Sequence, residues 1–496
     1  MDGKMNAYVA VATPPGVSGL AVIRLAGPDA IAIADRLFRF GALPKADAIQ
    51  AVDQAFLSRR LSDLNGYQAA FGYIQWGEEV IDQAVALCFK APHSYTGEDV
   101  IEFSIHGGTA TTKAVLTACV EAGARPAQPG EFTRNAFLNG KLDLSQAEAV
   151  IELIHAQTRQ QAKAALHQLG GGLSVEISDQ LRILYDVLSE LELAIEYPEH
   201  EDSEVDFNAI RNRLMGIESF FQKLCRRLIS GEVLKQGFQV VIVGEPNAGK
   251  STLLNALSGQ ERAIVTPIAG TTRDVLVVDI EVAGFKVCLT DTAGLRDSQD
   301  LVEQIGVERA RAALADAHLL LWVVAPSDMN QDLDSRQAFL DKLPKDKPLA
   351  ILLNKTDDPA FQAFAHHFTS AVLPQLTFSD QQAAFFQLPN QGYQTLTLSA
   401  KCKAGFDPLY HFIETAYQTL GLQDEMGVLI QSASQQEAIR RATDQLSLIV
   451  GQLDVMPYDL TAQGLLAVAE TLAVLVGQKA SEAVIDALFS RFCVGK

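Results

Sequence analysis

Phe238-Gln239-Val240-Val241-Ile242-Val243-Gly244-Glu245-Pro246-Asn247-Ala248-Gly249-Lys250-Ser251 decides the fold of the middle of this chain. The first six residues, mostly β-branched and apolar, read as a buried strand, and a GxxxxGKS run follows directly. Glycine at both ends of that run lets successive backbone N–H groups turn in around an anion. Lys250 carries a mobile cation to β- and γ-phosphate oxygens, and Ser251 offers a hydroxyl to Mg²⁺. The helix beginning near Thr252 points its positive end at the same place. A strand before and a helix after make this a phosphate-binding loop, and predict a mostly parallel sheet with helical crossovers around it.

Working outward, three further motifs follow in order. Asp291-Thr292-Ala293-Gly294 comes after a strand predicted over Lys286 to Thr290; the carboxylate serves Mg²⁺ and Gly294 permits close approach to the γ-phosphate. Asn354-Lys355-Thr356-Asp357 ends a strand over Leu349 to Leu353. Its Asp357 carboxylate accepts the two N–H donors of a guanine edge, whereas adenine leaves it unpaired. Ser399-Ala400-Lys401 sits where a loop backing the guanine belongs. Between the first two motifs, Thr266-Pro267-Ile268-Ala269-Gly270-Thr271-Thr272 supplies hydroxyls and carbonyls to the phosphates, with Thr272 the second Mg²⁺ hydroxyl. The four motifs predict binding and hydrolysis of GTP, not ATP. The residue after Gly294 is Leu295, where a Ras-type switch has a water-orienting glutamine, so hydrolysis requires another device.

The chain has 496 residues, which predicts roughly three domains. With 48% hydrophobic and 20% charged residues it reads as an ordinary globular protein. The longest apolar run, His318 to Ala325, falls far short of the roughly 20 residues that cross a bilayer, so the expectation is a cytoplasmic protein without membrane spans. Cys88, Cys119, Cys225, Cys288, Cys402 and Cys493 form no CxxC pair and read as reduced thiols. The terminal Phe492-Cys493-Val494-Gly495-Lys496 resembles a prenylation box only superficially, because Gly495 and Lys496 occupy the wrong positions. A net charge of -20 means that any RNA contact must use a restricted basic patch.

Tyr8 to about Asn139 mixes short apolar strands with Gly and Pro turns and Ala-rich helices, an α+β pattern. From Ser145, read as capping a helix together with Glu148, the period becomes helical. Gly170-Gly171-Gly172 interrupts that helix, Leu181 to Ile195 resumes it, and the acidic Tyr197 to Asp206 stretch reads as a loop. Phe220 to Leu234, Leu429 to Asp454 and Gly464 to Phe492 are again helical. The expected domains are 1–139, a helical domain from 140–236 and 423–496, and a nucleotide domain at 237–422. The pattern leaves open whether the two helical blocks pack together.

With these motifs in hand, the sequence resembles the tRNA-modification GTPase family MnmE (TrmE) over almost its whole length. The likeness is carried by Ala12-Thr13-Pro14-Pro15-Gly16, Ser94-Tyr95-Thr96-Gly97-Glu98-Asp99, Pro129-Gly130-Glu131-Phe132, Asn139-Gly140-Lys141-Leu142-Asp143-Leu144, Gly270-Thr271-Thr272-Arg273-Asp274 and Phe492-Cys493-Val494-Gly495-Lys496. The resemblance implies a homodimer whose GTPase domain is inserted into a helical domain made from both flanking segments. It further implies work with the flavoprotein MnmG, in a heterotetramer, on C5 of the tRNA wobble uridine, using a 5-formyl- or methylene-type tetrahydrofolate.

Carried over by motif, K⁺ ligands are Asn247, Thr266, Ile268 and Thr271, and Glu303 positions the attacking water. Folate contacts are Arg24, Glu102, Lys141 and Lys496, and Cys493 is a modification-linked thiol. One departure is Asp358 to Gln394, longer and richer in Phe than the family pattern, with six Phe. Such a run should fold onto the domain. The alternative to the modification enzyme is a GTP-dependent switch in RNA or ribosome assembly without one-carbon chemistry.

Overall fold

A computed structural model describes residues 7–42, 59–196, 206–259, 277–291, 311–329, 331–379, 382, 387–388, 392–393, 395–420, 433–476, 489, 492 and 495. The expectations for Thr266, Pro267, Ile268, Ala269, Gly270, Thr271, Thr272, Thr292, Ala293, Gly294, Glu303, Cys493 and Lys496 therefore lie outside the described residues, as does nearly all of the acidic 197–206 stretch. The described residues group into two compact units, one within 1–151, 168–215 and 441–496 and the other within 152–167 and 216–440.

The first unit opens with β1 (Tyr8–Val11), β2 (Ala21–Ala26), β3 (Phe38–Phe40), β4 (Gln68–Trp76), β5 (Glu79–Phe89), β6 (Val100–Ile105) and β7 (Arg125–Pro126). They form one sheet in the order β3-β4-β5-β6-β2-β1-β7, antiparallel except for the β1–β7 pair. Alternation does the sorting: Ala21, Ile23 and Leu25 of β2 are buried against the helices Ala30–Leu37 and Thr109–Glu121, while Val22 and Arg24 face the other way. The register sets Arg24 directly opposite Glu102 of β6. In the same unit the helix Gly172–Glu196 packs along Tyr458–Leu475, each burying a stripe of Leu, Val and Ala.

The helix read as starting at Ser145 is capped two residues earlier. Asp143 Oδ1 accepts from the Gln146 backbone N–H at 2.8 Å and Gln146 Oε1 accepts from that of Asp143 at 2.9 Å, a reciprocal cap that leaves the buried Ser145 hydroxyl with no bond among the described residues. The helix spans Leu144–His155 and stops well before the glycines, because Thr158 and Gln161 form a second reciprocal cap that starts Arg159–Leu169. Asp143→Ala should cost about 1 kcal/mol, the usual worth of such a cap, read as a lower melting temperature with unchanged nucleotide binding.

The second unit contains β8 (Phe238–Val243), β9 (Val277–Val282), β10 (Phe285–Asp291), β11 (Leu319–Val324), β12 (Leu349–Leu353) and β15 (Leu396–Thr397), with a separate short hairpin of β13 (Gln387–Leu388) and β14 (Gly392–Tyr393). The sheet runs β15-β12-β11-β8-β10-β9, parallel throughout except for the edge strand β9. β11 and β12 are buried along their whole length, as expected for strands covered on both faces. One face carries the helices Lys250–Ser258 and Phe406–Thr419; on the other, Phe361, Phe364 and Phe368 pack around Trp322 and Leu340. The described part of the Phe-rich segment is thus core, as helix Phe361–His367 followed by a π-turn Phe368–Val372.

Candidate functional site

In a parallel sheet the loops leaving the carboxyl ends of the strands converge at one edge. Here the strands end at Val243, Asp291, Val324, Leu353 and Thr397, and the second unit brings together there those of the predicted nucleotide contacts that fall among the described residues.

The phosphate loop needs conformations that most side chains resist. Gly244 has φ +145°, and a Cβ there would come within 2.3 Å of the Val323 carbonyl; Gly249 has φ +97°. Asn247, exposed between them, also adopts a left-handed φ of 66°. Lys250 Nζ donates to the carbonyls of Gly244 at 2.9 Å and Glu245 at 3.0 Å, so the ammonium lies folded over its own loop where phosphate oxygens would replace the carbonyls. Burial pushes its pKa down, against the opposing charges of Asp291, Glu245 and Asp328.

Ser251 Oγ donates to Asp291 Oδ2 at 2.7 Å, while Asp291 Oδ1 is buried with no partner among the described residues. A hydroxyl beside a carboxylate with a spare oxygen is a donor set that suits a hard Mg²⁺ ion completed by phosphates and water. Among the described residues no group of three or more His, Cys, Asp or Glu gathers to hold a metal by itself.

Asn354 joins the phosphate end of the site to the base end. It is almost fully buried; its Nδ2 donates to the Ala248 carbonyl at 2.8 Å and its Oδ1 accepts from the backbone N–H of Ala400 at 3.1 Å and of Lys355 at 2.7 Å. Lys355 takes a left-handed φ of 67° that turns the chain toward Asp357. Thr356 N–H donates to the Leu398 carbonyl at 3.2 Å, which sets the two base loops side by side. The Ser399 hydroxyl donates to Asp357 and accepts from the Cys402 N–H at 3.1 Å. That hydroxyl holds the exposed Asp357 carboxyl below the usual carboxylate range, so it is ionised and acceptor-only at neutral pH. Asn247, Ala248, Gly249, Asn354, Lys355, Thr356, Asp357, Ser399, Ala400 and Lys401 thus lie on loops at the carboxyl ends of the strands, with Lys250, Ser251 and Thr252 in the first turn of the helix Lys250–Ser258 and Asp291 at the end of β10.

The first unit has a second cluster. Arg24 Nε donates to Glu102 Oε1 at 2.7 Å, and its guanidinium lies 5.4 Å from the Phe132 ring centroid and 5.9 Å from that of Tyr95. Tyr95 OH bonds Thr133 Oγ1 at 2.9 Å. Arg24 Nη1 also donates to the Gly495 carbonyl at 3.3 Å, which brings Gly495 to the guanidinium. Lys141 does not touch Arg24. It is exposed in the turn after the helix Glu131–Leu138 and lies against Gly97, where a Cβ would meet its Cγ at 3.5 Å. Arg24 and Lys141 therefore flank opposite ends of one loop, Tyr95 to Gly97, which Asn139 Nδ2 ties down through the Thr96 carbonyl at 2.7 Å. Sequence reading assigned no role to Tyr95 or Phe132, although both stand in motifs it singled out.

The family model described as the GTP-binding protein TrmE N-terminus matches residues 7–141, and the one described as the MnmE helical domain matches 144–493. A curated "tRNA modification GTPase MnmE" from Symbiobacterium thermophilum is 38% identical over 490 residues, covering 98% of each chain. That of Bacillus subtilis is 34% identical over 499 residues, covering 99% of this chain and 100% of its own. This chain belongs to the MnmE family of tRNA modification GTPases. The MnmE N-terminal match contains Arg24, Glu102 and Lys141, and the MnmE helical match encloses all four nucleotide motifs. Among solved structures, Era in complex with MgGDPNP and a fragment of 16S ribosomal RNA is 27% identical, covers 36% of this chain and 55% of its own, and has a TM-score of 0.26. Among the described residues, no helix is long and apolar enough to cross a membrane.

Proposed function

We propose that this chain is the GTP-hydrolysing subunit of a system that adds an aminomethyl-type group to C5 of the tRNA wobble uridine. It acts in the cytoplasm as a homodimer of three-domain subunits, with the GTPase domain inserted in a split helical domain, and pairs with the flavoprotein MnmG as a heterotetramer. The observation that carries the reading is the buried Asn354, which ties the phosphate loop to the guanine-reading loops within a chain alike to MnmE proteins along its whole length.

Mg²⁺ would be held by Ser251 and Thr272 with Asp291 behind them, and K⁺ by Asn247, Thr266, Ile268 and Thr271. Bound there, the two cations would supply positive charge to offset that on the phosphates. Glu303 orients the water in place of the missing glutamine. Arg24, Glu102, Lys141 and Lys496 would hold a tetrahydrofolate derivative of the 5-formyl or methylene type, for which the Arg24–Glu102 pair supplies polar groups and Tyr95 and Phe132, beside the guanidinium, supply ring surface. Cys493, three residues before Lys496 in the sequence, is the thiol assigned to the modification chemistry.

The test is GTP turnover in KCl against NaCl at equal ionic strength, for the parent chain, Asn247→Ala and Glu303→Ala. Turnover should be about tenfold higher in KCl, with the gain lost in Asn247→Ala, and should fall at least 100-fold in Glu303→Ala, the order of effect seen when a transition-state contact is removed. Equal turnover in both salts sinks the cation mechanism. Retained GTP turnover without binding of 5-formyltetrahydrofolate moves the assignment to an RNA or ribosome-assembly switch.

A further inference from the structure

The Phe-rich segment after Asp357 has no part in the chemistry above, and neither does a nearly fully buried guanidinium beneath it. Arg336, on the helix Leu333–Asp341, is 2% exposed, and its guanidinium carbon lies 5.2 Å from the ring centroid of Phe368. Its Nη2 donates to the Asp328 carbonyl and its Nε to the Gln331 carbonyl at 3.5 Å. These bonds draw together the short loop that leaves β11, inside which Gln331 N–H also donates to the Asp328 carbonyl at 3.1 Å. The Asp328 side chain closes the loop by accepting from the Ala325 N–H at 2.9 Å.

From that loop one side chain reaches back. Gln331 Nε2 donates to Glu245 Oε1 at 3.0 Å, and Glu245 is the second residue of the phosphate loop. A carboxylate there is a liability, because the loop must receive a polyanion and Lys250 must be available to it. Lys250 Nζ lies on the Glu245 main-chain carbonyl, while the Glu245 carboxylate is engaged by Gln331.

We propose that the Phe-rich segment braces the phosphate loop: Phe368 seats Arg336, Arg336 fixes the carbonyls of Asp328 and Gln331, and Gln331 holds the Glu245 carboxylate out of competition with phosphate for Lys250. Gln331 and Arg336 are then positioning residues for nucleotide affinity. This rests on the reading of the loop as a GTP site.

The test is the dissociation constant of a fluorescent GDP analogue for the full chain and for variants with unchanged melting profiles. Gln331→Ala should weaken binding about tenfold, through freeing the carboxylate. Glu245→Gln in the same chain should recover affinity to within about threefold of the parent, since an amide neither repels phosphate nor captures an ammonium. Phe368→Leu, which keeps an apolar seat but removes the ring face, should lose about threefold and be recovered by the same second change. A merely structural role for Gln331 predicts a loss that Glu245→Gln leaves in place, so such a loss, or unaltered affinity in Gln331→Ala, overturns the brace. A parent chain that binds no guanine nucleotide overturns the GTP-site reading and the brace with it.

Discussion

Asp357→Asn should lower GTP affinity by about 100- to 1,000-fold and raise affinity for xanthosine triphosphate, as read by competition against a fluorescent guanine nucleotide. The guanine edge presents an amide N–H and an amino group, both donors, and an ionised carboxylate meets both. The asparagine amide turns one acceptor into a donor and sets it against the exocyclic amino group, leaving a donor pair unsatisfied. A site built on hydrogen bonds discriminates by several powers of ten when its polar groups lose their partners. Xanthine carries a carbonyl where guanine has that amino group, so the new donor finds an acceptor. An unchanged preference for GTP in Asp357→Asn would remove the base assignment from this loop.

The same carboxylate fixes a pH dependence. The Ser399 hydroxyl lowers the Asp357 pKa, so ionisation, and the two acceptors it provides, persist further into acid than for a free carboxylate. The part of the affinity that Asp357 supplies, read as the difference between the parent chain and Asp357→Asn, should therefore persist further into acid than a free carboxylate allows and be lost only as the pH drops through the depressed value. In Ser399→Ala the loss should begin at higher pH.

How much was legible in the sequence follows the distance over which each signal acts. The phosphate loop is contiguous, and its glycines, lysine and serine were readable because their roles depend on neighbours in the chain. The four motifs ended strands that period and composition already predicted, so the parallel sheet followed. The N-terminal sheet was legible as α+β, yet the pairing of Arg24 with Glu102 depends on a register between strands 78 residues apart that no local pattern encodes. The cap at Ser145 was misplaced because Asp143 and Gln146 satisfy the same spacing rule two residues earlier, and their side chains bond each other's backbone. The Phe-rich segment read only as something that must be buried. That Phe368 lies on Arg336, Arg336 on the carbonyl of Gln331, and Gln331 on Glu245 of the phosphate loop needs three elements brought together by the sheet.

The largest loss is expected from the smallest added group. In Gly249→Ala a single Cβ would stand 2.3 Å from Asn354 Nδ2, at a backbone φ of +97° that L side chains rarely adopt. The conformational strain alone costs about 1–3 kcal/mol. The steric consequence is worse, because Asn354 cannot move without releasing the Ala248 carbonyl on one side and the Ala400 N–H on the other. One methyl therefore disturbs the phosphate loop and the base-backing loop together. Nucleotide affinity should fall by more than about 1,000-fold, beyond what the loss of either set of bonds produces alone. Asn354→Ala made in the same background should then cost little more, because the bridge is already broken. A further loss as large as that of Asn354→Ala in the parent chain would show that the two residues act separately, and that the bridge is not what joins the phosphate end of the site to the base.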